Sequence, residues 1–250
     1  MRRYALRDDQ WERIKNFLPG REGHVGGTAA DNRLFVDAVL YRYRAGIPWR
    51  DLPERFGSWK VVHQRFSRWA KSGVFERIFK LLASDHDNEY MMIDATIVRA
   101  HQHSAGALKK NGEQAIGRSR GGLSTKIHAL VDALGNPVAL MLSPGQAGDL
   151  TCAEPLLENF DPAALIGDKA YDADAFIETL ADRQITPVIP SHPRRAIPTP
   201  CDFALYCERN LVERFFNKLK HFRAIATRYD KLARNFLAGV HLCSAIILLN

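Results

Sequence analysis

Three acids stand where an acid needs a reason. Asp94 interrupts the apolar run MMIDATIV, Asp168 closes ALIGD, and Glu213 sits beside Leu211, Val212, Phe215 and Phe216. A carboxylate in apolar surroundings has to be paired, protonated or bound to a cation. Carboxylate oxygens are hard ligands that suit Mg2+ or Mn2+. Two such ions held by shared acids would activate a water or hydroxyl and steady the leaving oxygen of a phosphoryl transfer. Each acid also has an ordinary explanation. Backbone amides could satisfy Asp94 at a strand end, and Arg209 or Lys220 could pair with Glu213 along its own helix. The two acids after Asp168 in LIGDKAYDAD, Asp172 and Asp174, read as the acidic start of a helix, where the N-terminal dipole favours them.

Glu213 has telling neighbours. Tyr206, Arg209, Glu213 and Lys220 follow one another at offsets of three, four and seven. On a helix these spacings keep all four on nearly one face. Asp94 and Asp168 belong to short apolar strands. The order from residue 89 is a strand in EYMMIDATIV, then two strands in LSTKIHALVDALGNPVALMLSPG turning at Gly135-Asn136. A helix in DLTCAEPLLENF and the strand ALIGD come next, then a helix in DADAFIETLADRQ and a strand in TPVIPS. The tail from Tyr206 to Asn250 reads as two long helices broken near Tyr229-Asp230. This order predicts a mixed α/β sheet flanked by helices over 89–250.

Residues 1–88 read as all-helical. DDQWERIKNFLPG has Asp8 as a candidate N-cap, and DNRLFVDAVLYRYRAG runs from an Asp31 N-cap to a Gly46 stop. IPWRDLPERFG reads as a short helix, Gly57-Ser58 as a turn, and WKVVHQRFSRWAKSG as a second helix. Helix, glycine turn, helix is the pattern of a helix-turn-helix unit. The second helix buries Val61, Val62, Phe66 and Trp69 in this reading. It would offer Lys60, His63, Gln64, Arg65, Arg68 and Lys71 to base edges and phosphates. The loop over 99–124 is glycine-rich and basic, with Lys109, Lys110, Arg118 and Arg120 as candidate DNA contacts. It is not a P-loop: Gly117 and Gly122 have the spacing, but Leu123 stands where lysine must be.

The chain of 250 residues carries a net charge of +7. The charge is uneven: 127–193 holds ten acids against two bases, and 194–234 ten bases against four acids. Basic segments around an acidic middle suit a protein that binds a polyanion while holding cations. No apolar run is long enough to span a membrane, and the start lacks the apolar block of a secretory signal. Cys152, Cys201, Cys207 and Cys243 show no C-x-x-C spacing and read as reduced thiols of a cytoplasmic protein.

Tyrosine, two residues, arginine, three residues, glutamate, six residues, lysine stands complete in YCERNLVERFFNKLK. It resembles the signature around the catalytic glutamate of DDE insertion-sequence transposases. IDATIVRAHQHSAGA and LIGDKAYDAD resemble that family's first- and second-aspartate blocks. QWERIKNFLP and AGIPWRDLPERFGSWKVVHQRFSRWAKSGVFERI resemble the helical domain of the insertion-sequence-five family. Arg7 stands where related proteins often carry a capping Ser or Thr. The resemblance implies an RNase H-like domain at 89–250, with Asp94, Asp168 and Glu213 catalytic and metal-binding through two Mg2+ or Mn2+ ions. Tyr206, Arg209 and Lys220 would support them. It implies cleavage of element ends and their joining to target DNA by a homodimer or higher oligomer on terminal inverted repeats, in a bacterial, nucleoid-associated setting. Two alternatives stay open: a helix-turn-helix protein without catalysis, and an RNase H-like nuclease that does not join strands.

Overall fold

The computed structural model describes residues 4–20, 29, 31–106 and 112–250. In chain order the helices and strands are α1 Asp8–Ile14, α2 Asn32–Ala45, α3 Trp59–Lys71, α4 Val74–Leu82, β1 Tyr90–Ala100, β2 Gly117–Ser119, β3 Gly122–Asp132, β4 Pro137–Pro144, α5 Ala153–Leu157, β5 Ala164–Ile166, α6 Asp174–Asp182, β6 Thr186–Val188, α7 Phe203–Tyr206, α8 Asn210–Lys220, α9 Arg223–Ala226, β7 Thr227–Arg228 and α10 Ala233–Leu248. They form two compact units: one of residues 1–82, 100–114 and 219–250, the other of 83–99 and 115–218. No described helix is long and apolar enough to cross a membrane.

The first unit is helical. α2 begins where the Asp31 carboxylate accepts the Leu34 backbone N–H at 2.8 Å. It ends at Gly46, whose φ of +71° suits glycine. α1 starts one residue away from expectation: Arg7, not Asp8, is the N-cap, and the Gln10 side chain accepts the Arg7 backbone N–H. Asp8 is instead a first-turn acid, where the helix dipole favours it. The segment before α3 is two 3₁₀ turns, Trp49–Asp51 and Glu54–Phe56, not a short helix. Pro53 explains this. It lacks an N–H and holds Leu52 extended, at ψ 125°. Phe35 of α2 meets Trp69 of α3 edge to face at 4.9 Å.

The apolar α10 packs within this unit, with Phe236, Val240 and Cys243 fully buried. Gly239 lets it approach α2, since a Cβ there would lie 2.1 Å from the Tyr43 hydroxyl. The tail departs from two long helices broken near Tyr229. α8 ends at Lys220, the one-turn α9 and the short β7 follow, and a long helix resumes at Ala233. Between them the chain is pinned: buried Arg42 meets the Asp230 carboxylate at 3.1 Å, and Tyr43 donates to the same oxygen at 3.2 Å.

The second unit is the mixed sheet. Its strands run β4, β3, β1, β5, β6, with short β2 also on β3. β4, β3 and β1 are antiparallel neighbours, while β1, β5 and β6 are parallel. This is the RNase H-like arrangement that the resemblance implied. The β3–β4 turn is built by Asp132, which accepts the Leu134 and Asn136 backbone N–H groups at 3.0 and 2.8 Å. Gly135 supplies its positive φ. Met91, Ile93, Leu130, Leu165, Tyr171 and Phe176 join one core cluster on one face of the sheet. Alternation along β1 turns Met92 and Asp94 to the other face. In α8, Val212, Phe215 and Phe216 are buried.

Candidate active site

Asp94 lies on β1, and Asp168 follows β5. β1 and β5 pair in parallel as Tyr90 with Ala164, Met91 with Leu165 and Met92 with Ile166. The pairing ends there; Asp168 lies two residues past the end of β5, and its charge acts on Asp94. Gly167 makes that strand end tight, since a Cβ there would lie 3.1 Å from the Tyr171 ring. Asp168 caps the turn after the strand, and one carboxylate oxygen accepts the Ala170 N–H at 2.8 Å.

Glu213 comes in through Arg209. The Arg209 guanidinium gives Nη2 to Asp94 Oδ2 at 2.6 Å and Nη1 to Glu213 Oε1 at 2.7 Å. Its Nε is buried without a partner. The other Asp94 oxygen accepts the Ala95 N–H at 2.7 Å. Burial pushes the Asp94 carboxyl above its ordinary range. Arg209 and the Ala95 amide pull it back, and the charges of Asp168 and Asp149 push it up again. Burial works against the Arg209 charge, but Asp94, Tyr206 and Glu213 raise its pKa on balance. Burial likewise raises the Tyr206 phenol, with Asp168 and Asp94 among the charges that act on it.

The structure thus brings Asp94, Asp168, Glu213, Tyr206 and Arg209 into one electrostatic neighbourhood. Lys220 lies in the last turn of α8, two turns beyond Glu213 and half-buried. The donor chemistry of three carboxylates fits a hard divalent cation. Their present arrangement is closed by an arginine, and among the described residues no three His, Cys, Asp or Glu side chains gather to hold an ion.

Two residues beside the site gave little signal. Lys126 of β3 donates to Asp149 at 2.7 Å and to the Ala147 carbonyl at 2.8 Å, with both side chains mostly covered. The Asp149 charge reaches Asp94, and it also reaches two fully buried groups with an unpartnered atom, the Tyr171 hydroxyl and His128 Nδ1. Burial holds Tyr171 well above an ordinary phenol and drops His128 to about 4. The only hint in the sequence was an acid closing the glycine turn SPGQAGD. Asp172 and Asp174 are tied to Arg195, and Asp172 also accepts the His192 backbone N–H. They brace a surface loop.

The DNA-contact candidates divide. On α3, Lys60, Gln64, Arg68 and Lys71 are exposed and recur at steps of four, four and three. Val61 joins them at 62% exposure, against the expectation that it packs inside. Its place one residue before buried Val62 turns it outward. His63 is half-buried against Trp49, ring centres 5.3 Å apart. Arg65 lies over Phe35 at 4.3 Å and Trp69 at 4.7 Å and bonds the Asn32 side chain. Arg118 and Arg120 are exposed at the β2–β3 turn. Lys109 and Lys110 lie outside the described residues. A surface cavity of about 710 Å³ is lined by Leu6, Arg7, Asp31, Arg33 and Asp37 and by none of these residues.

Two family models match different parts of the chain. Residues 6–79 match a family model described as "Putative transposase of IS4/5 family", and residues 86–248 match "Transposase DDE domain". A relative from Brucella ovis, "Putative transposase for insertion sequence element IS6501", is 40% identical over 127 residues, 50% of this chain and 98% of its own. Protein y4sN of Sinorhizobium fredii is 51% identical over 108 residues, 43% of this chain and 86% of its own. Among solved structures, the piggyBac transposase synaptic complex with hairpin DNA matches 75% of this chain and 48% of its own, at 12% identity and a TM-score of 0.42.

Proposed function

Because the chain belongs to the transposase DDE domain family, we propose that it cleaves the ends of an insertion sequence and joins them to target DNA at the acids Asp94, Asp168 and Glu213. The observation that carries this reading is the convergence of the three acids. The charge of Asp168 acts on Asp94, and Arg209 ties Glu213 to Asp94. The family uses divalent metal in general. Here the three carboxylates would hold Mg2+ or Mn2+, two ions per site. When bound, the ions lower the pKa of an attacking water and neutralise charge on the leaving oxygen.

The chain's own residues supply the rest. Asp94 is held by strand pairing with Ala129 and Asp168 by its cap on the turn after β5, so they need little reorganisation when substrate arrives. Glu213 is the more exposed member: it projects from α8 and its side chain is 56% exposed. Arg209 and Lys220 hold phosphate oxygens next to the scissile bond, and the Tyr206 hydroxyl hydrogen-bonds the backbone there. In cleavage, water attacks phosphorus and the 3′-oxygen of the element end leaves with a proton. In joining, that 3′-hydroxyl attacks a target phosphorus and a target 3′-oxygen leaves.

The exposed stripe of Lys60, Gln64, Arg68 and Lys71 on α3 reads the terminal inverted repeats. Arg118 and Arg120 of the β2–β3 turn add phosphate contacts. Two ends must be paired, so the working form is a homodimer or higher oligomer on DNA, in the bacterial cytoplasm at the nucleoid. The test is an assay with labelled element ends, a supercoiled target plasmid and Mg2+. Joined products are the expected result. Cleaved ends without joining would make the protein a simple nuclease, and bound but uncut ends would make it a DNA-binding module.

A further inference from the structure

Arg209 stands where a cation between Asp94 and Glu213 would stand. Its guanidinium spans both carboxylates, at 2.6 and 2.7 Å. The fit is incomplete, because the buried Nε has no partner. The arginine therefore satisfies two acids while leaving one of its own donors unmet. Arg209 belongs to a 3₁₀ turn of three residues, Cys207–Arg209, between α7 and α8. A planar guanidinium that bridges two carboxylates matches two phosphate oxygens equally well.

We propose that Arg209 is the resident counter-cation of the acid site, that it competes with divalent metal for Asp94 and Glu213, and that DNA phosphate draws it away. Metal loading is then gated by substrate. Without DNA, Arg209 closes the site and keeps it from cutting indiscriminately. With an element end in place, the guanidinium moves to the phosphate backbone and releases both carboxylates. Each ligand then favours the other, as linkage requires of two ligands that share one displaced group. The inference rests on Asp94, Asp168 and Glu213 being the metal-binding acids.

The test is Mn2+ binding to the metal-free full chain, read from the spin-resonance signal of free Mn2+, with and without a duplex of the element end. Without DNA, Arg209→Gln should bind Mn2+ about tenfold more tightly than the parent chain, a usual size for such coupling. Arg209→Lys should fall between them, because it keeps the charge but cannot bridge two carboxylates. The duplex should tighten Mn2+ binding to the parent chain and leave the Arg209→Gln variant little changed.

The proposal is overturned if Arg209→Gln binds Mn2+ no more tightly than the parent without DNA, or if the duplex tightens both equally. If the glutamine variant does not fold, by its near-ultraviolet circular dichroism, the lysine variant decides: tighter than the parent supports the latch, and equal or weaker overturns it. Asp94→Asn separates this from the underlying reading. An Asp94→Asn chain that binds Mn2+ like the parent means the ions bind elsewhere, and the catalytic assignment itself fails. If Asp94→Asn loses Mn2+ while Arg209→Gln gains none, only the latch fails.

Discussion

Arg65 and Arg68 are three residues apart on α3 and do different work. Arg65 lies against Phe35 and Trp69, so part of its value is packing. Arg68 is exposed and has the reach of a DNA contact. Arg65→Ala is expected to lower stability by about 1 kcal/mol through lost packing and stacking. Arg68→Ala should leave the melting temperature unchanged but weaken binding to element ends by about 1–3 kcal/mol if it reads a base. Thermal melts and binding titrations on both variants check this, and equal losses in both assays for the two residues would remove the distinction. In the sequence the pair looked alike, since both are cations on the polar side of one amphipathic helix. Only the ring positions of α2 and α3, set by tertiary packing, tell them apart. Asp94 and Asp168 were legible because an acid at an apolar strand needs an explanation. Asp149 was not, because an acid after a glycine turn needs none.

At the scale of elements, local patterns named most helices and strands, and the exceptions have local causes. Asp31 and Gly46 bound α2 as read, because a side-chain cap and a left-handed residue act within one turn. Pro53 broke the expected short helix into two 3₁₀ turns. The stop of α8 at Lys220 could not be read from periodicity, because the pins that hold the following segment, Arg42 and Tyr43 on Asp230, come from α2. The contact of α10 with α2 gives a sharp test. Alanine at Gly239 would gain about 1 kcal/mol of helix propensity. Its Cβ would meet the Tyr43 ring and hydroxyl at 2.1 to 2.5 Å, with Tyr43 fully buried. Gly239→Ala is therefore expected to destabilise the chain by about 1–3 kcal/mol, in the range of overpacking. Denaturant unfolding checks it, and a variant as stable as the parent would mean the two helices have room to part.

For the whole molecule, charge governs two responses. Binding to element ends should weaken steeply with salt, because each Lys or Arg on a phosphate releases counterions. An affinity flat between low and physiological salt would contradict the use made of the basic segments. Stability should fall in acid for a separate reason. His128 and His241 are buried, and burial holds both near a pKa of about 4. A free imidazole titrates near 6.5, so the unfolded chain takes up protons first as the pH drops. The stability these neutral histidines allow is complete above about pH 6.5 and is lost progressively down to about pH 4, by up to about 3 kcal/mol each. Melting temperatures across that window measure the loss, and His241→Leu should flatten the curve.

The central claim is that one site formed by Asp94, Asp168 and Glu213 cuts and joins DNA, apart from the surface that holds it. The direct measurement compares Asp94→Asn, Asp168→Asn and Glu213→Gln with the parent chain for end binding and for Mg2+-dependent cleavage and joining. All three variants should bind ends with nearly the parent affinity and give no cleaved or joined product. Metal-dependent cleavage retained by all three would contradict the account.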